Sequence, residues 1–308
     1  MRLNQNNNPL ISIVIATRIT PERNRLNELE RAIDSSIAQD YQPVEIIVLD
    51  DCSDINLNFL GEKSELIKIY RSKNNIGAAK IRNKGFFISK GKYVISLDDD
   101  AYFSDNNIVS SVVTQFEKLA NVAIICMPII KDKSHNLSLS ENKTKRDGVF
   151  FKQVSSFCAA GAALRRDAIL TMGGYRGFFI IQGEEEDLSV RLMDKGWKII
   201  SANFPPIIHE ESPKRNWNVQ HIYGPRNAIL FIILNVPFPY LIIRLLFNTL
   251  GLLWHGLARK RLRLKLTGII KGYSDSPTFW QQRQPVAPRT WRQYRRLLKQ
   301  PEDYVAEW

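Results

Sequence analysis

Tyr93-Val94-Ile95-Ser96-Leu97-Asp98-Asp99-Asp100 is a short apolar, β-prone run that ends in three carboxylates, and the fold follows from how that junction is read. Unpaired charge is too costly to bury, so the three acids need a cation or a ring of donors. Carboxylates at the carboxyl end of a strand sit where open α/β sheets bind their ligands. Alternate residues of an extended chain share a face, so Asp98 and Asp100 can point one way and Asp99 another. Two oxygen ligands on one face suit a hard divalent ion that also holds a phosphate. Read alone, the triplet is equally a solvated acidic turn, and its neighbours have to decide.

Those neighbours repeat the pattern. Leu10 to Ala16 reads as a first strand, ended by Thr17-Arg18, and a helix follows with Leu26, Leu29, Ile33 and Ile37 on one face. Val44 to Leu49 is a second strand that again runs into acids, Asp50 and Asp51. Leu66 to Tyr70 is a third, and a helix from about Ala78 to Ser89 leads into Tyr93. Another helix, about 106–120, precedes a strand at Val122 to Met127. Strands alternating with helices at this spacing mean βαβ units and a mostly parallel sheet. Residues 131–147 carry no period and read as a surface excursion on the acceptor side. Val154 to Leu164 reads as a strand with Gly161 at a close approach, and Lys198 to Ala202 as a last strand. Glu184, Glu185, Glu186 and Asp187 open a helix, where acidic side chains suit the N-terminus. His209 follows two prolines.

Composition narrows the class. The chain has 308 residues, 44% hydrophobic and 24% charged, enough for one large α/β unit with an addition. A net charge of +12 calls for an anionic partner: nucleic acid, an acidic membrane face, or phosphorylated ligands. Three scattered cysteines form no Cys-x-x-Cys pair, so neither a disulfide framework nor a zinc site is indicated, and a reducing cytosol is the expected compartment. The Asn-rich start lacks an apolar signal core.

Strand ends of a parallel sheet gather on one edge. The acid groups 50–51, 98–100 and 184–187 are therefore expected at one cleft, with Arg82 placed to meet a phosphate oxygen. Taken in order, the residues resemble a family 2 glycosyltransferase of the GT-A fold. The likeness rests on Ser12 to Thr17, Val48 to Asp54, Asn75 through Gly77 to Arg82-Asn83, Gly91 to Asp100, Gly173-Gly174-Tyr175, and Glu184 to Leu192 closing at Gly196. It covers roughly residues 10–230.

The resemblance implies a set of roles. Thr17 and Asp50, or its neighbour Asp51, would contact the base or ribose of a sugar nucleotide, and Arg82 its diphosphate or base. Asp98 and Asp99 would help hold the donor. Asp100 would carry Mn²⁺ or Mg²⁺, with His209 where some members have a metal-ligating histidine. Glu185 would be the base, standing second in an acidic pair eleven residues before Gly196. Because the commoner residue there is Asp, Glu184 and Asp187 remain alternatives. The implied reaction is an inverting, metal-dependent transfer from a nucleotide-diphosphate sugar, a UDP-sugar favoured, to a hydroxyl of a glycan or lipid-linked acceptor, in surface polysaccharide or glycolipid assembly. The rival readings are a sugar nucleotidyltransferase, which would carry a Gly-rich signature after strand one where Thr17 to Thr20 has no glycine, and a basic binding protein without catalysis. Nucleic acid is not expected as a partner.

From Arg226 the chain changes character. Ala228 to Ile243 is apolar but broken by Asn235, Pro237 and Pro239, and Arg244 interrupts it before Leu245 to Leu257. That is short of the ~20 residues of a spanning helix. With Arg259, Lys260, Arg261, Arg263 and Lys265 beside it, the region reads as an anchor on an anionic membrane face, or else as a cover for the catalytic part. The expected layout is a GT-A catalytic unit over 1–225, with a nucleotide-binding half at about 10–130 and an acceptor half at about 150–225. A membrane-associating helical region then occupies 226–308, placing the protein in the cytoplasm, peripheral at the inner face of the cell membrane.

Overall fold

The computed structural model describes residues 8–22, 24–132, 149–210 and 217–305. Most of the 131–147 excursion lies outside them. The nucleotide-binding half alternates as its apolar runs require: β1 (Ile11–Thr17), α1 (Leu26–Ile37), β2 (Val44–Asp50), β3 (Ile67–Arg71), α2 (Ala78–Ile88) and β4 (Tyr93–Asp98). Then come β5 (Ala101–Phe103), α3 (Ile108–Lys118), β6 (Val122–Cys126), β7 (Ile129–Asp132), β8 (Phe151–Gln153), β9 (Gly161–Arg165) and α4 (Arg166–Thr171). The remainder is α5 (Glu184–Asp194), β10 (Lys198–Ala202), β11 (Ile207–Glu210), α6 (Trp217–Asn235), α7 (Tyr240–Ala258), α8 (Leu262–Phe279), α9 (Pro288–Lys299) and β12 (Glu302–Asp303).

Nine strands form the main sheet in the order β12-β8-β10-β6-β9-β4-β1-β2-β3. From β4 to β3 every pairing is parallel. β9 enters antiparallel to both β4 and β6, so the acceptor half is mixed. This strand starts only at Gly161, not at Val154. A Cβ on Gly161 would come within 3.1 Å of Ile129 and 3.2 Å of Ile207, so a side chain there needs those isoleucines to give way by a few tenths of an ångström. Both faces of the sheet are covered, which is why its central strands are apolar throughout. Ile11, Ile13 and Ile15 pack with Leu29, Ile33, Val112 and Phe116 on one side. Val14, Leu49 and Val94 pack with Phe86, Leu188 and Leu192 on the other.

A second sheet of three short strands, β5-β11-β7, sits at the end of β4. The chain leaves the main sheet at Asp98, turns through Asp99 and Asp100, and joins the small sheet at Ala101. β11 runs antiparallel to β5 with His209 opposite Ala101. His209 is thus a strand residue with a fixed direction.

The apolar region after Arg226 divides differently from the sequence reading. Residues up to Asn235 belong to α6, which buries Leu230, Ile232 and Leu234 against the catalytic part and Ile229 against α8. Pro237 and Pro239 force the break, and α7 restarts at Tyr240. Arg244 does not interrupt that helix but lies inside it. α7 is long and apolar enough to cross a membrane, with 11% of its apolar window buried. Ile242, Leu246, Phe247, Leu250 and Trp254 are exposed along it. α9 folds back onto α5: Asp194 accepts the N–H of Ala287 (2.7 Å) and the hydroxyl of Thr290 (2.8 Å). Trp291, Tyr294 and Leu297 join the core there, and β12 pairs with β8 at the edge of the main sheet.

Candidate active site

The three acid groups do gather on one edge. Asp50-Asp51, at the end of β2, build the loops around it. The Asp50 carboxylate accepts the Ser53 N–H at 2.7 Å and lies 3.1 Å from Arg71. Asp51 accepts the N–H groups of Ile76 (2.8 Å) and Gly77 (2.9 Å), and its own N–H bonds the Thr17 carbonyl. Gly77 takes φ = 85°, a turn that favours glycine and that opens α2. Both aspartates are buried and already hydrogen-bonded, so they shape this rim at the strand ends.

β4 ends at Asp98 and the chain turns at Asp99 and Asp100, so the turn, not the alternation of an extended strand, places the three carboxylates. Asp99 turns inward, accepting the Thr17 hydroxyl at 2.8 Å and Arg25 at 2.9 Å. Burial, with the charge of Asp100 behind it and Arg25 opposing, pushes Asp99 up to about 6. Asp98 and Asp100 come together with His209, while Arg25 also reaches the carboxylates of both Asp99 and Asp100. One ligand atom from each of Asp98, Asp100 and His209 lies within 4.8 Å of the others. His209 Nε2 is 3.1 Å from Asp100 Oδ1, and the Glu210 N–H fixes the strand by bonding the Asp100 carbonyl at 2.8 Å. Carboxylate oxygens with one imidazole make a donor set that fits Mn²⁺, and Mg²⁺ with added waters. Asp98 therefore joins the candidate metal ligands.

Arg82 ties this corner to the acidic helix. Its guanidinium contacts the Asp98 carboxylate directly and lies 4.0 Å from Glu184. Burial works against the charge on Arg82, but Asp98, Tyr175, Glu185 and Glu184 more than restore it. Burial likewise raises Asp98, and the pull of Arg82, His209 and Arg25 outweighs it, leaving Asp98 below the usual carboxylate range. Arg82 Nε, the Tyr175 hydroxyl and Glu184 Oε2 are buried here without hydrogen-bond partners, donors and an acceptor that a polar ligand would satisfy.

Glu185 stands apart from these pairs. The Ala159 N–H approaches it at 3.4 Å. Burial and the charges of Glu184 and Glu186, against Arg82, push it up to about 8. A carboxylate raised this far takes up a proton readily once it is ionised, as a general base must. Asp187 is different: it is 0% exposed and held by Arg176 (2.7 Å), Arg191 (2.9 Å) and Asn235 (2.8 Å). It is spent on the fold and is enclosed away from any acceptor.

Arg25 escaped the sequence reading, and Tyr175 entered it only as part of the resemblance, without a role. Arg25, just before α1, bridges Asp99 at 2.9 Å and Asp100 at 2.8 Å, yet an arginine at a helix start carries no motif. Tyr175 is near enough to act on the charge of Arg82 and is positioned because Asn83 clamps its backbone: Asn83 Oδ1 accepts the Tyr175 N–H (2.8 Å) and Nδ2 donates to its carbonyl (2.7 Å). Gly174 permits this contact, since a Cβ there would fall 2.3 Å from Asn83 Oδ1.

The family profile described as Glycosyl transferase family 2 matches residues 17–173, from the end of β1 to the Gly173 turn. The chain belongs to this family. Among its curated members, the Escherichia coli protein named UDP-Glc:alpha-D-GlcNAc-diphosphoundecaprenol beta-1,3-glucosyltransferase WfaP is 32% identical over 105 residues, 33% of this chain and 40% of that one. The chain spans between 36% and 43% of the length of the curated relatives it matches. Solved structures share the GT-A fold at low identity. S. aureus TarS in complex with UDP-GlcNAc superposes with a TM-score of 0.58 at 13% identity, over 80% of this chain and 72% of that one. The mannosyltransferase PcManGT of Pyrobaculum calidifontis, in complex with GDP-Man and Mn²⁺, gives 0.56 at 14%, over 89% and 88%.

Proposed function

We propose that this family 2 member is an inverting, metal-dependent glycosyltransferase. It moves a sugar from a nucleotide-diphosphate donor to a hydroxyl of a glycan or lipid-linked acceptor in surface polysaccharide or glycolipid assembly. The observation that carries the reading is the meeting of Asp98, Asp100 and His209 within 4.8 Å at the sheet edge, with Arg82 linking them to the helix of Glu185. A UDP-sugar is the favoured donor, supported by the UDP in the names of WfaP and of the TarS complex. The nucleotide lies over the ends of β1 and β2, with Thr17, Asp50, Asp51 and Asp99 holding the loops that receive it.

In the reaction, Glu185 takes the proton of the acceptor hydroxyl as that oxygen attacks the anomeric carbon. The bond from that carbon to the diphosphate oxygen breaks on the opposite face, and its electron pair leaves with the diphosphate. One displacement inverts the anomeric centre. Asp98, Asp100 and His209 would hold Mn²⁺ or Mg²⁺, which would neutralise the charge building on the leaving group. Arg25 and Arg82 add fixed positive charge on the same side.

Residues 1–225 are the catalytic unit in this reading, and 226–308 hold the protein at a membrane. The exposed apolar side of α7, with Arg259, Lys260, Arg261 and Arg263 beside it, suits an interfacial position on the anionic inner face of the cell membrane. The test is to incubate the protein and Mn²⁺ with UDP-, GDP- and dTDP-sugars and follow nucleoside diphosphate release. Release from one nucleotide class, lost in Glu185→Gln, is the expected result. No release from any donor sinks the proposal.

A further inference from the structure

Three cations meet where α7, α8 and α9 close over the start of α5. Arg244, Lys265 and Arg295 line a cavity of about 510 Å³ whose wall also carries Glu185 and Glu186. The size is that of a small-molecule site. Arg244 Nε, Asn248 Nδ2 and Glu186 Oε2 are buried here with no hydrogen-bond partner, two donors and one acceptor, an arrangement that costs free energy until a ligand offers acceptors to the first two and a hydroxyl to the third. Arg295 crowds Arg244, and Arg261, outside the cavity, crowds Lys265. Burial first, then the charge of Arg295, lowers Arg244 from its ordinary value, and burial and Arg261 do the same to Lys265. Glu185 and Glu186 are the two carboxylates of the wall, against three cations. The cavity therefore carries net positive charge in a partly dry setting.

The same space continues outward along α7. Arg244, Asn248 and Lys265 also border a neighbouring hollow with Phe247, Gly251 and His255. Phe247 and Gly251 in turn border an apolar groove with Leu250, Trp254, Leu257 and Leu262. A single occupant has to match both halves: acidic oxygens at the inner end and hydrocarbon at the outer. The diphosphate of the sugar donor does not fit this description, since its charges are met at the Asp98 and Asp100 corner.

We propose that this cavity is the phosphate subsite of the acceptor. It takes the phosphate or diphosphate that joins a short glycan to a long hydrocarbon chain. The hydrocarbon lies in the groove along α7, and the free hydroxyl of the glycan reaches Glu185 on the inner wall. The inference rests on Glu185 as the base that faces the acceptor. It explains why a basic, apolar helical region is folded onto the catalytic helix by α9: the two halves of one amphiphilic substrate are bound by the two halves of the chain.

The test is calorimetric titration of the full chain with farnesyl diphosphate, in EDTA so that metal-dependent binding at the donor corner is silent. Pyrophosphate, farnesol and phosphatidylglycerol vesicles are run beside it. Farnesyl diphosphate is expected to bind more tightly than pyrophosphate or farnesol. Binding should weaken about tenfold or more in the double variant Arg244→Ala, Arg295→Ala and stay unchanged in Asp100→Ala. UDP binding with Mn²⁺ checks that the double variant folds; if it does not, Arg244→Gln and Arg295→Gln are used singly. The proposal is overturned if farnesyl diphosphate does not bind, if the arginine variants bind it as wild type does, or if binding needs Mn²⁺ and Asp100. Vesicle binding lost in the double variant, without farnesyl diphosphate binding, overturns it in favour of a membrane-surface role. Pyrophosphate binding as tight as farnesyl diphosphate overturns the hydrocarbon half. Failure of the donor-site reading shows separately, as wild-type protein that does not bind UDP with Mn²⁺.

Discussion

Asp100 and His209 meet at 3.1 Å although 109 positions separate them in the chain. The contact exists because β4 turns out of the main sheet at Asp98 and β11 lies against β5 immediately beyond Asp100. Two backbone features hold it: the β5–β11 pairing and the Glu210 N–H on the Asp100 carbonyl. Replacing His209 by Ala removes a ligand atom without disturbing those bonds. Mn²⁺ affinity in the presence of UDP is expected to fall by about tenfold to a hundredfold, on the scale seen when metal-site partners are removed. A Mn²⁺ titration followed by electron paramagnetic resonance reads this, and an unchanged affinity would remove His209 from the site.

Glu185→Gln should cut kcat by about 10²–10⁴-fold, the usual contribution of a positioned base. In the wild type, kcat/KM should rise with pH and level off above about 8, where Glu185 ionises in the free enzyme. A pH profile flat from 6 to 9 would point to another base.

The same residue gives an opposite signal in stability. Its folded pKa of about 8 lies above its ordinary value of 4.5, so the folded state favours the protonated form. That contribution is complete below about pH 4.5 and is lost as pH rises through about 8. Glu185→Gln keeps a neutral side chain throughout. Its melting temperature should therefore gain on that of wild type as pH goes from 5 to 9, and a constant difference would contradict the placement.

Asp187 should behave as a structural acid. Asp187→Ala leaves Arg176 and Arg191 facing each other without their shared carboxylate. Breaking a buried ion pair by removing one partner costs about 3–5 kcal/mol. Chemical denaturation should show a loss of that size, with kcat per folded molecule little changed. A fully stable but inactive variant would instead make Asp187 part of the chemistry.

Arg82 links the two. Arg82→Ala leaves Asp98 and the buried Glu184 without their shared cation, and a loss of about 3 kcal/mol is expected on the same grounds. Activity should fall as well, because the leaving diphosphate loses a charged neighbour. Arg82→Lys should recover part of the stability but less of the activity, since an ammonium cannot reproduce the two-sided reach of a guanidinium.

Much of this was visible in the chain. Tyr93 to Leu97 is apolar at every position but Ser96, because the central strand is covered on both faces, and its three acids stand where a strand must end. The Glu184 helix start was readable for the same reason. What the sequence hid depends on contacts between distant segments. β5, β7 and β11 have three or four residues each, too short for a periodic signal. The sequence therefore showed His209 only as a residue after two prolines, with no strand to fix its direction. Arg25 acquires meaning only through Asp99 and Asp100. The division of the apolar region at Pro237 and Pro239, and the cavity that α9 closes, follow from packing of helices far apart in sequence. Arg244 looked like an interruption of an apolar run, and it is instead the inward face of α7.

The measurement to make first is calorimetric titration of UDP into wild type and Asp100→Ala, each with and without Mn²⁺. Tight binding of UDP that depends on Mn²⁺ in the wild type and disappears in Asp100→Ala is the expected result. UDP binding that is the same with and without Mn²⁺, or that survives intact in Asp100→Ala, would contradict a metal-held donor at Asp98, Asp100 and His209.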